Sequence, residues 1–185
     1  KFAEDAYWEG IISKAALSPI LGRVCAIGIG HTCGQNDFLT LADQSDESER
    51  ELLEEFWDAY FISVSRVSGK LVGHNIVDFD VPFLVRRSWM LGVEVPDFVY
   101  KGRYLSDRFV DTRQVWNCGV YGSQIPSSLD VLANCFGVGG KPKDVSGADF
   151  WSLYWGSASE QLTAFEYLEN DIEMTRKVAA VLGVF

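Results

Sequence analysis

Long apolar runs are missing from this sequence. The longest, such as Val178 to Phe185, falls far short of the roughly 18 residues that a membrane span requires, and no charged-then-apolar leader opens the chain. The expectation is a protein with no membrane partner and no secretory signal. Cysteine is sparse: Cys25, Cys33, Cys118 and Cys135 show no C-x-x-C spacing, and 185 residues bury a core without covalent staples. Reduced thiols and a cytoplasmic location are expected. Basic charge is also short, with 16 Lys and Arg against 26 Asp and Glu and a net charge of −10. That excludes broad, sequence-indifferent wrapping of nucleic acid, which needs clustered cations to neutralise phosphates. Fixed-period repeats, low-complexity tracts and Gly/Ser linkers are missing too, so residues 1–185 read as one domain.

What is present is 48% hydrophobic residues and an uneven charge pattern. Between Asp43 and Asp58 eight acids face one base, so that stretch alone carries −7 of the net −10. From Arg86 to Arg113 six bases outnumber four acids, which allows one mildly basic face. Both stretches read most simply as solvated surfaces.

Arg23 to Gly30 is a β-rich run, and Phe38 to Ala42 follows a polar turn at Gly34 to Asp37, a hairpin pattern. Leu52, Leu53, Phe56, Trp57, Tyr60 and Val64 recur at helical spacing behind a cap at Ser45 or Asp46, with the acid run on the outer face. Leu71 to His74 predicts a short strand, Val81 to Leu91 a helix with Pro82 in its first turn, and Phe109 to Thr112 another strand. Ser127 or Ser128 caps a helix through Phe136, and a final helix runs from about Ser159 to Leu182. In that last helix the expected buried stripe is Phe165, Leu168, Ile172, Ala179 and Leu182, with Tyr167 and Asp171 together on an adjacent face. Strands and helices in this order indicate an α/β layered domain.

Two segments carry chemistry. In Gly73 to Arg87 a strand ends at His74 and Asn75 and a helix begins at Asp80, which puts a carboxylate at the carboxyl end of a strand, where open α/β sheets place ligands. Asp80 there either helps to hold a cation or merely caps the helix, and Asp78 shares the ambiguity. In the last helix Tyr167 and Asp171 lie one turn apart, an arrangement in which a carboxylate holds a hard cation and a phenol orients water; a half-buried aromatic beside an exposed acid gives the same pattern.

Taken together these segments resemble the DEDD superfamily of 3'-5' exonucleases in its tyrosine subtype. Asn75-Ile-Val-Asp-Phe79-Asp80 is similar to the second exonuclease motif and Tyr167-x-x-x-Asp171 to the third. Leu17 to Arg23, His74-Asn75, Pro82-Phe83-Leu84, Asp111-Thr112, Gly139-Gly-Lys141 and Ser146 to Trp151 resemble the predicted exonucleases related to the proofreading domain of family B DNA polymerases. The resemblance implies an RNase H-like fold, a mixed sheet flanked by helices. It also implies a site of two Mg²⁺ or Mn²⁺ ions with Asp80 and Asp171 among the ligands and Tyr167 orienting the attacking water. The implied substrate is the 3' end of DNA, single-stranded by expectation, with nucleoside 5'-monophosphates as products. Asn75 and Phe79 would then shape the pocket for the terminal nucleotide, and Arg86, Arg103 and Lys141 would meet the phosphates, although surface salt bridges suit those three equally.

One family feature has no counterpart. The first motif, Asp-x-Glu on the central strand, is absent, since Glu4-Asp5 has neither the order nor an apolar strand around it. A sheet without that strand leaves backbone groups unpaired, so an Asp-x-Glu preceding Lys1 is expected. The alternative is a catalytically inactive exonuclease-fold module that binds nucleic acid or another partner. Gly28-x-Gly30 does not signal a nicotinamide cofactor, because the chain after it returns to strand-like alternation rather than opening a helix. Cys25, His31 and Cys33 lack a second ligand pair for zinc, and His74, with no nucleophile motif beside it, is expected to pack or hydrogen-bond beneath the site.

Overall fold

A computed structural model describes residues 15–67, 70–100, 108–120, 122, 125–140 and 145–184, with the side chains of 61–67 and 98 left aside. After a 3-10 turn at Ala15–Leu17, strands β1 (Ala26–Gly30) and β2 (Asn36–Thr40) form an antiparallel hairpin in which Ala26 faces Thr40 and Gly30 faces Asn36. Gly34, at φ +92, supplies the left-handed residue that closes the turn, and its N–H donates to the His31 carbonyl at 3.0 Å.

Helix α1 (Asp46–Val67) follows. The Ser45 hydroxyl accepts from the Ser48 N–H at 3.1 Å, and Asp46, Glu47 and Glu49 in the first turn suit the positive end of the helix dipole. Leu52, Leu53, Phe56, Trp57 and Tyr60 are buried as the spacing predicts. Their principal partner is α2 (Asp80–Leu91), which turns Val81, Phe83, Val85 and Ser88 inward. The Trp57 indole N–H donates to the Ser88 hydroxyl at 2.9 Å and ties the two helices together.

The acid run is not wholly a solvated face. Glu49 is fully buried and receives a bidentate pair from Arg87 at 2.8 and 2.5 Å, plus the Val24 N–H at 2.9 Å. Every lone pair direction that matters is answered, which is the condition for burying a carboxylate.

Strand β3 (Leu71–Gly73) pairs in parallel with β4 (Phe109–Asp111), Leu71 opposite Phe109 and Gly73 opposite Asp111. Between them lie α2 and the short α3 (Asp97–Tyr100). The chain is therefore α/β as expected, with both antiparallel and parallel pairing. Among the described residues, however, the strands form two separate two-stranded sheets rather than one mixed sheet. Among the described residues β1 and β3 share no ladder.

Helices α4 (Thr112–Trp116), α5 (Leu129–Cys135) and α6 (Phe150–Tyr154) lead to the long α7 (Ala158–Val181). Ser128, not Ser127, caps α5, and Ser157 with Glu160 forms a capping box on α7. The fully buried residues of α7 are Ala164, Tyr167, Met174, Val178 and Ala179; Phe165, Leu168, Ile172 and Leu182 are only half-buried. The stripe differs from the expected one because α7 is covered from two sides. Met174 and Val178 join Leu129, Leu132 and Ala133 of α5 in a second core cluster, while Leu168 and Ile172 lie against β1.

Gly28 and Gly30 explain that second contact. A Cβ on Gly28 would stand 2.7 Å from the Ile172 side chain, and one on Gly30 would stand 2.5 Å from Ile172 and 2.7 Å from the Arg176 guanidinium. The glycines of β1 let α7 approach the hairpin, which accounts for the Gly-x-Gly pattern without any dinucleotide.

Candidate active site

The site begins where β3 ends. Asn75 adopts φ 61, a left-handed conformation that Asn tolerates better than most residues, and so turns the chain back toward β4. The turn is pinned by Asp111. Its buried carboxylate accepts the N–H groups of Asn75 at 2.9 Å, Val77 at 3.1 Å, Arg113 at 2.9 Å and Gln114 at 3.4 Å. It thereby caps α4 and holds the loop before α2 with one side chain. Sequence reasoning quoted Asp111-Thr112 but gave Asp111 no role; the signal was an Asp at the end of a strand, directly before a helix.

The other polar groups of this junction are similarly occupied. His74 sits half-buried with Nε2 2.9 Å from the Ser127 carbonyl and Nδ1 2.9 Å from the Thr112 hydroxyl. A carbonyl accepts only, so Nε2 carries the proton. The ring is a brace beneath the site. Arg113 donates through Nη1 to the Asn75 side-chain oxygen at 2.6 Å and through Nε to the Ser127 hydroxyl at 3.1 Å.

Asp80 opens α2. The N-cap position is Phe79, which makes no side-chain cap, and Asp80 lies one residue inside the helix, so its carboxylate is not the capping group. The residue is exposed, yet its carboxyl is pushed up to about 6. Desolvation on the protein side is the largest cause; its own N–H opposes the shift, and the charges of Asp111 and Asp171 add to it. The charges of Asp111 on β4 and Asp171 on α7 thus both reach Asp80 on α2. The oxygens of Asp111 are turned to backbone N–H groups, which leaves Asp80 and Asp171 as the pair. Among the described residues no group of three or more His, Cys, Asp or Glu side chains gathers into a ready metal cage.

Tyr167 precedes Asp171 by one turn of α7, so the two share a face, as the spacing predicts. The phenol is buried rather than half-exposed, with its ring 6.4 Å from that of Phe150. Its hydroxyl lies beside Gly147, where an added Cβ would come within 3.6 Å. A turn holds that glycine in place, since the N–H and hydroxyl of Ser146 both donate to Asp149 at 2.9 and 2.7 Å.

The remaining candidates separate. Phe79 packs on Phe83 with ring centroids 5.8 Å apart and leans on the main core. Arg86 is exposed on α2, six positions after Asp80 and so about 120° around the helix from it. Its neighbour Arg87 is committed to Glu49. Arg103 and Lys141 lie outside the described residues.

No curated protein matches the chain. The solved structure of the family B DNA polymerase from the hyperthermophilic archaeon Pyrobaculum calidifontis is similar with a TM-score of 0.69 and 19% sequence identity. The likeness covers 92% of this chain and 23% of the polymerase chain, so the chain spans about a quarter of that protein's length. At this identity it shows the fold, an RNase H-like exonuclease arrangement, and not the activity. Residues 16–176 match the model of a family described as predicted 3'-5' exonuclease related to the exonuclease domain of PolB, and the chain belongs to that family.

Proposed function

We propose that this chain hydrolyses the terminal phosphodiester bond at the 3' end of single-stranded DNA, releasing nucleoside 5'-monophosphates with the aid of Mg²⁺ or Mn²⁺. The observation that carries this reading is the convergence on Asp80 of the Asp111 and Asp171 charges, with Tyr167 one turn from Asp171. Both charges acting on Asp80 are negative, and its donor set with Asp171 is all oxygen. That chemistry fits a hard dication, which relieves the repulsion. Asp80 and Asp171 are the residues that hold the two ions. Bound there, Mg²⁺ or Mn²⁺ supplies Lewis-acid stabilisation to the attacking and leaving oxygens.

The protein's own groups do the rest. The Tyr167 hydroxyl, fixed by burial and by the turn at Gly147, orients the attacking water. Asn75, locked by Arg113, and Phe79 shape the pocket of the terminal nucleotide, while Arg86, Arg103 and Lys141 meet the phosphates of the strand. An acidic protein can take a polyanion in this way because the cations supply the positive charge. The reading keeps the cytosolic location expected from the sparse, unspaced cysteines of the sequence.

The test is degradation of 5'-labelled single-stranded DNA by the full polypeptide. Shortening from the 3' end is expected with Mg²⁺ or Mn²⁺ and none with EDTA. Asp171→Ala is expected to lower the rate by about three orders of magnitude or more, and unchanged degradation by that variant overturns the reading. Tyr167→Phe is expected to slow turnover about tenfold while metal affinity stays nearly constant, because the phenol holds water rather than the ion.

A second reading is an exonuclease-fold module that binds nucleic acid without cutting it. It is favoured by the lack of an Asp-x-Glu between Lys1 and Asn75, ahead of the segment that resembles the second motif. Tight binding of the same oligonucleotide with no shortening in either metal would establish it.

A further inference from the structure

A cavity of about 100 Å³ opens beside the Asn75 turn, lined by Asp78, Arg113, Gln114, Asn117, Gly119 and Gly122 among others. Two of its lining side chains carry buried polar atoms with no hydrogen-bond partner: Nε2 of Gln114, a donor, and Oδ1 of Asn117, an acceptor. Orphaned buried groups of this kind are uncommon in native structures, because each forfeits the water bonds it would have when exposed. Here both occur three residues apart, on the walls of one cavity.

We infer that this cavity is a base-reading subsite of the proposed exonuclease, in which the Gln114 and Asn117 amides hydrogen-bond the edge of a nucleobase near the 3' end. The inference rests on the function proposed above. Both residues line the cavity, and each amide holds a donor and an acceptor that a two-fold turn of its terminal torsion exchanges, so either group can be offered to a ligand there. A donor and an acceptor presented together match a heterocycle edge that offers an acceptor and a donor. The charges on the lining, Asp78 and Arg113, are opposite in sign and favour a neutral planar group over a free phosphate. Gly119 and Gly122, at φ 73 and 70, line the cavity with no side chains of their own. Arg113 connects the cavity to the site, since it lines the one and holds the Asn75 side chain of the other.

The consequence is discrimination among bases, which a site made of carboxylates and phosphate contacts alone does not provide. Four fluorescent single-stranded decamers that differ only in the 3'-terminal base are titrated with the full protein, Ca²⁺ replacing Mg²⁺. The dissociation constants for wild type are expected to differ by about tenfold or more between the best and worst base, the scale of one well-made amide–base contact. Gln114→Leu and Asn117→Ala are each expected to narrow that range to under about threefold, with the weakest-bound end unchanged. Gln114→Glu, which trades the donor for an acceptor, is expected to change which base is preferred.

Four wild-type constants equal within error overturn the subsite while leaving the exonuclease reading in place, and so does a range that survives both truncations. If no oligonucleotide binds, the subsite and the proposed function fall together. The wild-type comparison decides by itself should a variant fail to fold.

Discussion

Glu49 and Asp80 occupy the same local position, the first turn of a long helix that packs into the main core, and the protein treats them oppositely. Glu49 of α1 is fully buried, yet it receives a bidentate guanidinium from Arg87 and a backbone N–H from Val24. Asp80 of α2 is exposed, yet the charges that act on it come from two further carboxylates, Asp111 and Asp171. The first arrangement is what folding alone requires of a buried acid. The second is unfavourable to the folded chain by itself and gains its sense from a cation that binds later. A carboxylate whose surroundings oppose its charge is a functional candidate on physical grounds, and one whose surroundings complete it is a structural tie.

The largest expected effect on stability tests the structural half of that contrast. Glu49→Ala leaves Arg87 buried beside no counter-charge and is expected to cost about 3–5 kcal/mol, read as a lowered urea midpoint at unchanged slope. The double variant Glu49→Leu with Arg87→Met is expected to recover most of that loss, because two apolar groups of similar volume replace a costly pair. A single variant as stable as wild type would remove the distinction between Glu49 and Asp80.

Much of this contrast was legible in the sequence, and the illegible part has definite causes. The Asp80 and Tyr167–Asp171 segments stood out because strand ends and helical spacing place them from local pattern alone. The Glu49–Arg87 tie did not, since it joins residues 38 positions apart and lies inside an acid run whose other members suit solvent. The role of Asp111 was hidden likewise, because its partners at Asn75 and Val77 come from another strand's exit. The hairpin and the start of α5 were legible from a polar turn and a serine cap, whereas the short helices α3, α4 and α6 carry too few residues to show a period. The two faces of α7 were not legible either, because a 3.6-residue period shows one stripe and cannot reveal that β1 and α5 cover different sides. Gly30 records that packing. Gly30→Ala drives a Cβ to within 2.5 Å of Ile172 and is expected to destabilise the fold by about 1–3 kcal/mol and to slow DNA degradation as α7 shifts with Tyr167 and Asp171. Degradation at the wild-type rate in a destabilised protein would show that the α7 groups do not need the hairpin to position them.

The smallest effect is also the sharpest in sign. Desolvation on the side that faces the protein, followed by the charges of Asp111 and Asp171, lifts the Asp80 carboxyl from its ordinary 3.8 to about 6. Below the lower value the folded and unfolded chains both hold the proton. Between the two values the folded protein keeps a proton that the unfolded chain has released, so Asp80 makes stability fall as pH rises through that window and level off above it. The residue is exposed and solvent screens its charge, so the slope is expected to be shallow. In metal-free protein Asp80→Asn is expected to flatten that portion of the stability curve and to raise the urea midpoint at pH 7, opposite in sign to Glu49→Ala. Mg²⁺ at pH 7 is expected to stabilise wild type but not Asp80→Asn, because a ligand that binds only the folded state adds its binding free energy to stability. Equal stabilisation of both proteins by Mg²⁺ would mean that the ion binds elsewhere, and that the repulsion around Asp80 serves no cation.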